Sequence, residues 1–356
     1  MNDLTILLTL KGRKSFTKRW LDWMALENCP FPIVIADGDA DKTFTKNLLK
    51  KDTYKNLNID YREYPEDINT KTFILKFSDA VSIVKTKYII FADNDDFVII
   101  NNLKKALNFM KNNEKIDSLA LQHYRFKILN DSKDVDSKLY LNGFDIKFEI
   151  LAPLKNNNFF KNSSITRLAE SIKIFPSDYF YYAVHKTNNL RYSSQLTAQK
   201  KMENFFFWER FLTSSVAVVG NINCDKSFEP FVVRQDETSN SAIYLSETEK
   251  LIDLRYSPKW KIQLKNFIDG LYEVHKFNDG PSIYGFKTRV RIYFEINIIV
   301  RILRGKISRV LIKYKKIHSF LNSLLLFRLG KNRSNINKSY FEKNSEIKKL
   351  ITFLNN

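Results

Sequence analysis

Over the first hundred residues the apolar positions fall into short runs, separated by segments in which they recur every three or four places. Strand-like runs occupy Leu4–Leu10, Pro32–Asp37, Asn58–Tyr64 and Lys87–Asp93, and helix-period segments occupy Ser15–Leu26, Lys42–Lys50 and Asn69–Val84. This alternation predicts a largely parallel sheet covered on both faces. Ligands of such sheets bind beyond the carboxyl ends of the strands, so the residues after each run matter most.

The pattern continues with a helix over Asn101–Asn112 and a strand over Ser118–Leu129. Residues 130–164 are polar and irregular and read as loops or a mobile insertion. Order is expected to resume at Arg167–Ile174 and at Tyr179–Lys186. Beyond these, a helix is expected over Gln199–Ser214, with strands over Ala217–Asn223 and Phe231–Arg234. Further on, Ile292, Ile296, Ile299, Val300, Leu303, Ile307, Val310, Leu311, Tyr314, Ile317 and Leu321 recur at three-to-four spacing, which predicts an amphipathic helix.

Charge changes the reading of that helix. From Phe286 to Asn356 there are 17 Lys/Arg against 3 Asp/Glu, whereas the preceding 285 residues hold 41 basic and 36 acidic groups. A nearly balanced body therefore carries a strongly basic C-terminal region. Such a helix can lie in the headgroup layer of an anionic membrane; the plainer alternative packs its apolar stripe on the body with the bases in water. Nucleic-acid binding finds no recognition motif and no aromatic–glycine platform.

Composition narrows the class. With 29 Phe and 17 Tyr in 356 residues the chain is no disordered polymer, and its length suits two domains or one extended α/β domain. Two cysteines, Cys29 and Cys224, make no disulfide scaffold, and four scattered histidines show no zinc spacing. No secretory leader and no uncharged apolar run of about 18 residues is seen, so a reducing cytoplasm is the expected compartment.

Two strand ends carry candidate chemistry. Asp93, Asp95 and Asp96 place three carboxylates within four residues after an apolar strand. Like charges this close raise one another's pKa unless a cation offsets them, and an Asp-x-Asp pair suits a hard divalent ion, Mg²⁺ or Mn²⁺. The alternative is an acidic turn capping the helix that starts near Asn101. Asp37-Gly38-Asp39 repeats the situation one strand earlier, where a carboxylate can accept the N–H of a uracil-like base and Gly permits close approach. No GxGxxG, P-loop or G-x-S-x-G motif is present, which removes the main support for a dehydrogenase, an NTPase or a serine hydrolase. His185, in an alternating aromatic run, is read as a core histidine. Trp208 and Tyr182 are read as core aromatics, with stacking on a sugar face as the alternative.

The order LTILLTLKGR, IVIADGD and NTKTFILKFSDAVSIVKTKYIIFADNDDF resembles the nucleotide-sugar half of GT-A glycosyltransferases similar to family 2. FPSDYFYYAVHKTNNL and FFFWERFLTSSVAVVGNINC resemble second-half blocks of a bacterial subfamily used in surface-polysaccharide assembly. The likeness runs from about Leu4 to Arg234. It implies a GT-A (Rossmann-like) α/β fold, with a mixed sheet flanked by helices. By the same resemblance Thr9 and Asp37 contact the nucleoside and Lys76 approaches the diphosphate. Asp93 and Asp95 match the metal motif, with Asp93 also on the donor, and Asp96 extends it. The first strand departs from the family's Pro-Thr-Tyr-Asn, reading Leu8-Thr9-Leu10-Lys11 with Arg13 slightly later. Glu209 lies in the block resembling the acceptor side and is the candidate base, with Glu203 in reserve; the alternative is an ordinary surface glutamate.

The expected organisation is a glycosyltransferase domain over 1–240 (a nucleotide-sugar half at 1–100 and an acceptor half at 101–240). A connecting segment at 241–285 and a basic, mainly helical region at 286–356 follow. The expected activity is a metal-dependent, inverting hexosyl or related transfer from a nucleoside-diphosphate sugar. The expected acceptor is a growing, lipid-linked glycan of lipopolysaccharide or capsule type at the inner face of the cytoplasmic membrane. Two rivals are a sugar nucleotidyltransferase, for which Lys11-Gly12-Arg13-Lys14 is a poor phosphate loop, and a non-catalytic scaffold bound to membrane or nucleic acid.

Overall fold

The structure is a computed structural model that describes residues 3–121, 123–128, 146–150, 157–159, 163–174, 182–225, 232–235, 247–279, 284–313 and 344–355. Its central sheet begins with four parallel strands, β1 (Leu4–Leu10), β2 (Ile33–Asp37), β3 (Ile59–Glu63) and β4 (Tyr88–Asp93). Helices α1 (Lys14–Leu26), α2 (Thr43–Leu49) and α3 (Thr70–Ile83) link them. These bounds agree with the periodicity to within about a residue at most ends. The start of α3 is fixed by a reciprocal capping box, in which the Asn69 side chain accepts from the Thr72 N–H at 3.1 Å and Thr72 Oγ1 accepts from the Asn69 N–H at 3.3 Å.

The strand order is β3-β2-β1-β4-β10-β6-β11-β9. Here β6 is Ser118–Ala120, β9 Asn157–Phe159, β10 Val184–Lys186 and β11 Ile222–Cys224. β10 runs antiparallel to both β4 and β6, and β9 antiparallel to β11, so the sheet is mixed. A second sheet, β5-β12-β7-β8, joins Asp96–Val98, Val232–Gln235, His123–Ile128 and Ile146–Ile150. Strand order reverses between β1 and β4, which leaves a crevice beyond their carboxyl ends.

Both sheet faces are covered, which explains the continuous apolar runs. Leu4, Ile6 and Leu8 of β1, with Tyr88 and Ile90 of β4, join one core. Leu7, Ile89 and Phe91 join the other. The first core holds α1, α4 (Ile100–Asn112) and the last described helix, α11 (Ser345–Asn355), whose Ile347, Leu350 and Leu354 are buried in it. The second holds α3 together with α5 (Ser164–Ile174), α6 (Thr187–Gln199), α7 (Phe205–Val219), α9 (Pro258–Asp279) and α10 (Phe286–Lys313). A further helix, α8 (Glu247–Tyr256), precedes α9.

Several expectations change. Ser118–Leu129 is two strands in different sheets, because the chain leaves the main sheet at Leu121. The helix expected over Gln199–Ser214 begins only at Phe205, as α7, because Gln199 is the last residue of a separate helix, α6, that the sequence pattern does not predict. They are divided at Lys201, which takes a left-handed φ of 51°, and at Asn204, whose side chain caps the Phe206 N–H at 3.0 Å. Ala217–Val219 ends α7 rather than starting a strand, since a short buried apolar run fits either form. Within the polar stretch 130–164, residues 146–150 and 157–159 are strands, while 129–145, 151–156 and 160–162 lie outside the described residues. The periodic tail is helical through Lys313; Tyr314, Ile317 and Leu321 lie outside the described residues.

Candidate functional site

The turn after β1 is built around two left-handed residues, Gly12 at φ 66° and Arg13 at φ 56°. For an arginine this conformation is costly and needs outside support. Asn94 supplies it. Its Nδ2 donates to the Gly12 and Arg13 carbonyls at 3.3 and 3.4 Å and to Thr17 Oγ1 at 3.1 Å. The amide between Asp93 and Asp95 thus clamps the first loop onto the end of β4.

Arg13 is thereby aimed at the carboxylates, and its Nη1 donates to Asp95 Oδ2 at 2.7 Å. Thr9 and Asp93 are register partners across β1 and β4, and Thr9 Oγ1 donates to Asp93 Oδ1 at 3.1 Å. The other oxygen, Oδ2, accepts from the Tyr182 hydroxyl at 2.6 Å. One oxygen from each of Asp93, Asp95 and Asp96 lies within 4.8 Å of the others. Asp96 is buried, while Asp93 and Asp95 are half-buried at the crevice. An all-oxygen donor set of this spacing fits a hard divalent cation, Mg²⁺ or Mn²⁺.

Asp37 closes β2 beside this cluster, level with Leu10 of β1. It is fully buried, accepting from the Asp39 N–H and the Tyr61 hydroxyl, each at 2.8 Å. Burial and the Asp37 carboxylate hold the Tyr61 phenol well above its ordinary pKa, so Tyr61 stays a donor. Lys76, from α3, gives Nζ to the Leu10 carbonyl at 2.9 Å and pairs with the Asp67 carboxylate. Both members of that pair are buried, and desolvation pushes the Lys76 pKa down and the Asp67 pKa up. A Cβ on Gly38 would sit 2.4 Å from an Asp67 oxygen, so glycine there is what lets the carboxylate reach the lysine.

Of the residues singled out from sequence, Thr9, Asp93 and Asp95 come together, with Asp37 and Lys76 on the adjoining strand ends. Glu209 is half-buried on α7, on the sheet side toward which Phe91 of β4 points. Phe91 meets Phe77 at 4.7 Å and Phe77 meets Trp208 at 5.1 Å. Glu203 is exposed, 3.9 Å from Lys71 Nζ. His185 is a core histidine, buried with Nδ1 2.9 Å from Ser118 Oγ, and Trp208 is a core aromatic. Tyr182 is buried, yet its hydroxyl belongs to the carboxylate cluster. Cys29 and Cys224 are buried thiols, with burial as the main cause raising them to about 11 and about 12.

Sequence reasoning missed the roles of Asn94, Asp67 and the Tyr182 hydroxyl. Asn94 had a signal, a polar amide inside the acidic triplet beside a Gly-containing turn. Asp67 had none.

No family model matches the chain, and no curated protein matches it in sequence. Solved structures match in outline. S. aureus TarS has a TM-score of 0.42 at 11 % identity, over 78 % of this chain and 44 % of that one. TarS 1-349 in complex with UDP-GlcNAc has a TM-score of 0.43 at 12 % identity, over 84 % and 79 %. The mannosyltransferase PcManGT from Pyrobaculum calidifontis, in complex with GDP-Man and Mn²⁺, has a TM-score of 0.46 at 9 % identity, over 99 % and 84 %. The chain spans less than half the length of the first of these, and likeness at this level fixes no residue correspondence.

Proposed function

We propose that this chain is a GT-A-type glycosyltransferase that moves a sugar from a nucleoside diphosphate to a growing surface glycan, with inversion. The observation that carries the reading is the carboxylate cluster of Asp93, Asp95 and Asp96 at the crevice where strand order reverses, with buried Asp37 one strand away. The motif resemblance over Leu4 to Arg234 supports the same reading. Asp93 and Asp95 would hold the divalent ion, which when bound would offset the charge of a departing diphosphate. Thr9 and Asp37 serve the nucleoside end.

Lys76 serves the donor side by position. Its ammonium fastens the end of β1 to Asp67, while Arg13 already lies against Asp95. Glu209 is the base that takes the acceptor hydroxyl's proton. The acceptor is a lipid-carried glycan, and the basic region 286–356 keeps the protein at the inner leaflet.

Thermal stability with a panel of nucleoside diphosphates, with and without Mn²⁺, tests this on the wild type and Asp95→Ala. Binding at 100 times Kd should add ~2.7 kcal/mol. A metal-dependent shift for one nucleotide, lost in the variant, is expected. No shift with any nucleotide would leave the carboxylates as a set neutralised by Arg13 and would overturn the proposal in favour of a scaffold.

A further inference from the structure

Helix α10 has two apolar rows. Phe286, Val290, Phe294 and Ile298 are buried in the second core. Ile292, Ile296, Ile299 and Leu303 stand nearly opposite at 3.6 residues per turn, exposed at 50, 55, 49 and 51 %, and neither core takes any of them. Single exposed apolar residues are ordinary, but four in register along one helix are a continuous strip.

The charge on the helix selects what covers that strip. Phe286–Lys313 holds eight Lys/Arg and one acid. That acid, Glu295, is paired with Arg255 at 2.9 Å. Arg289 and Arg291 are exposed at the start of the strip, whereas Lys287 is paired with Asp269 at 2.7 Å. A second copy of this chain would bring an equally basic helix against it, and nucleic acid offers no apolar layer for four aliphatic side chains. An anionic bilayer offers both a negative surface and an apolar interior just beneath. Among the described residues no helix is long and apolar enough to cross a membrane, so the contact is one of lying on the surface.

We propose that the outer row of α10, Ile292, Ile296, Ile299 and Leu303, inserts into the headgroup layer of an anionic bilayer while the inner row holds the helix to the body. This rests on the membrane placement proposed above and is independent of the catalytic assignment. It fixes orientation, because a helix held on one side by the core can meet lipid only with the other.

The test is co-sedimentation of the full chain with phosphatidylglycerol-rich vesicles and with pure phosphatidylcholine vesicles. The proteins are the wild type, the quadruple variant I292S/I296S/I299S/L303S, and the charge reversal R289E/R291E. The wild type should bind the anionic vesicles and leave the neutral ones. The quadruple variant, with every charge intact, should lose at least about ten-fold in partitioning, and the charge reversal should also weaken it. All four serines replace exposed side chains, so an unchanged melting temperature and an unchanged nucleotide-induced shift identify a folded protein.

Wild-type binding that persists in the quadruple variant would keep the membrane placement and overturn the row. No binding by the wild type would overturn both, with the nucleotide shift still reporting on the enzyme reading by itself. A wild type that dimerises in light scattering while the quadruple variant is monomeric would assign the row to a second copy and overturn the proposal.

Discussion

Arg13 donates from Nη1 to Asp95 Oδ2 across 2.7 Å, so a side chain from the turn after β1 neutralises the middle carboxylate at the end of β4. A divalent ion at Asp93 and Asp95 has to compete with that guanidinium for the same charge. Arg13→Ala is therefore expected to strengthen binding of Mn²⁺ alone by about two- to five-fold, the worth of a partly exposed pair. Calorimetric titration with Mn²⁺ and no nucleotide reads this directly. Weaker binding in the variant would mean that Arg13 organises the site instead of competing for it.

The Lys76–Asp67 pair is sealed from water, with side-chain exposures of 2 and 1 %. Breaking such a pair leaves a buried charge, so Lys76→Met alone should cost about 3–5 kcal/mol, and the double variant Asp67→Asn/Lys76→Met less than the sum of the singles. Urea midpoints of the four proteins give the coupling.

The same pair predicts a pH dependence. Burial raises the Asp67 carboxyl, and the Lys76 charge opposes the rise. With Lys76 gone the carboxyl climbs further, binding its proton more tightly folded than unfolded. Such a group favours the native state at low pH and loses that contribution as pH rises through its folded value. The deficit of Lys76→Met relative to wild type should therefore shrink as pH falls through that value toward the ordinary carboxylate range. A deficit independent of pH would mean that Asp67 is not the group left stranded.

Gly38→Ala should be destabilising by about 1–3 kcal/mol, because the new methyl meets a carboxylate that Lys76 keeps from moving. Combining it with Asp67→Ala should recover most of the Gly38 cost, as read by thermal melts.

Tyr182→Phe removes the donor to Asp93 Oδ2 at 2.6 Å. A bond to a charged acceptor is worth about 1.5–3 kcal/mol, and that loss is expected in denaturant midpoints. An unchanged midpoint would show that water or Thr9 replaces the phenol without cost.

The parallel half of the fold was legible because strands covered on both sides must be apolar throughout, and the helices between them keep an unbroken period. Asp93 and Asp95 were legible for the same reason, being the polar residues that end such a run. What joins them was not. Tyr182 lies 89 positions from Asp93 and Arg13 lies 82 from Asp95, and no local pattern encodes contacts at that range. Leu121, where the chain changes sheets, interrupts no apolar pattern. In α10 the stripe picked out from sequence, Ile292, Ile296, Ile299, Val300 and Leu303, is the exposed one, and the row that packs on the body is Phe286, Val290, Phe294 and Ile298.

Helix α11 completes the first core, with Phe353 against Trp23 at 5.3 Å and Phe97 at 6.2 Å, and Glu346 accepting from Asn101 across a separation of 245 residues. During synthesis that gap is time. At ~5–20 residues per second, the face that Trp23 and Phe97 line waits roughly ten to fifty seconds for its cover to leave the ribosome. For that interval the nascent chain lacks the Phe353 cover over Trp23 and Phe97.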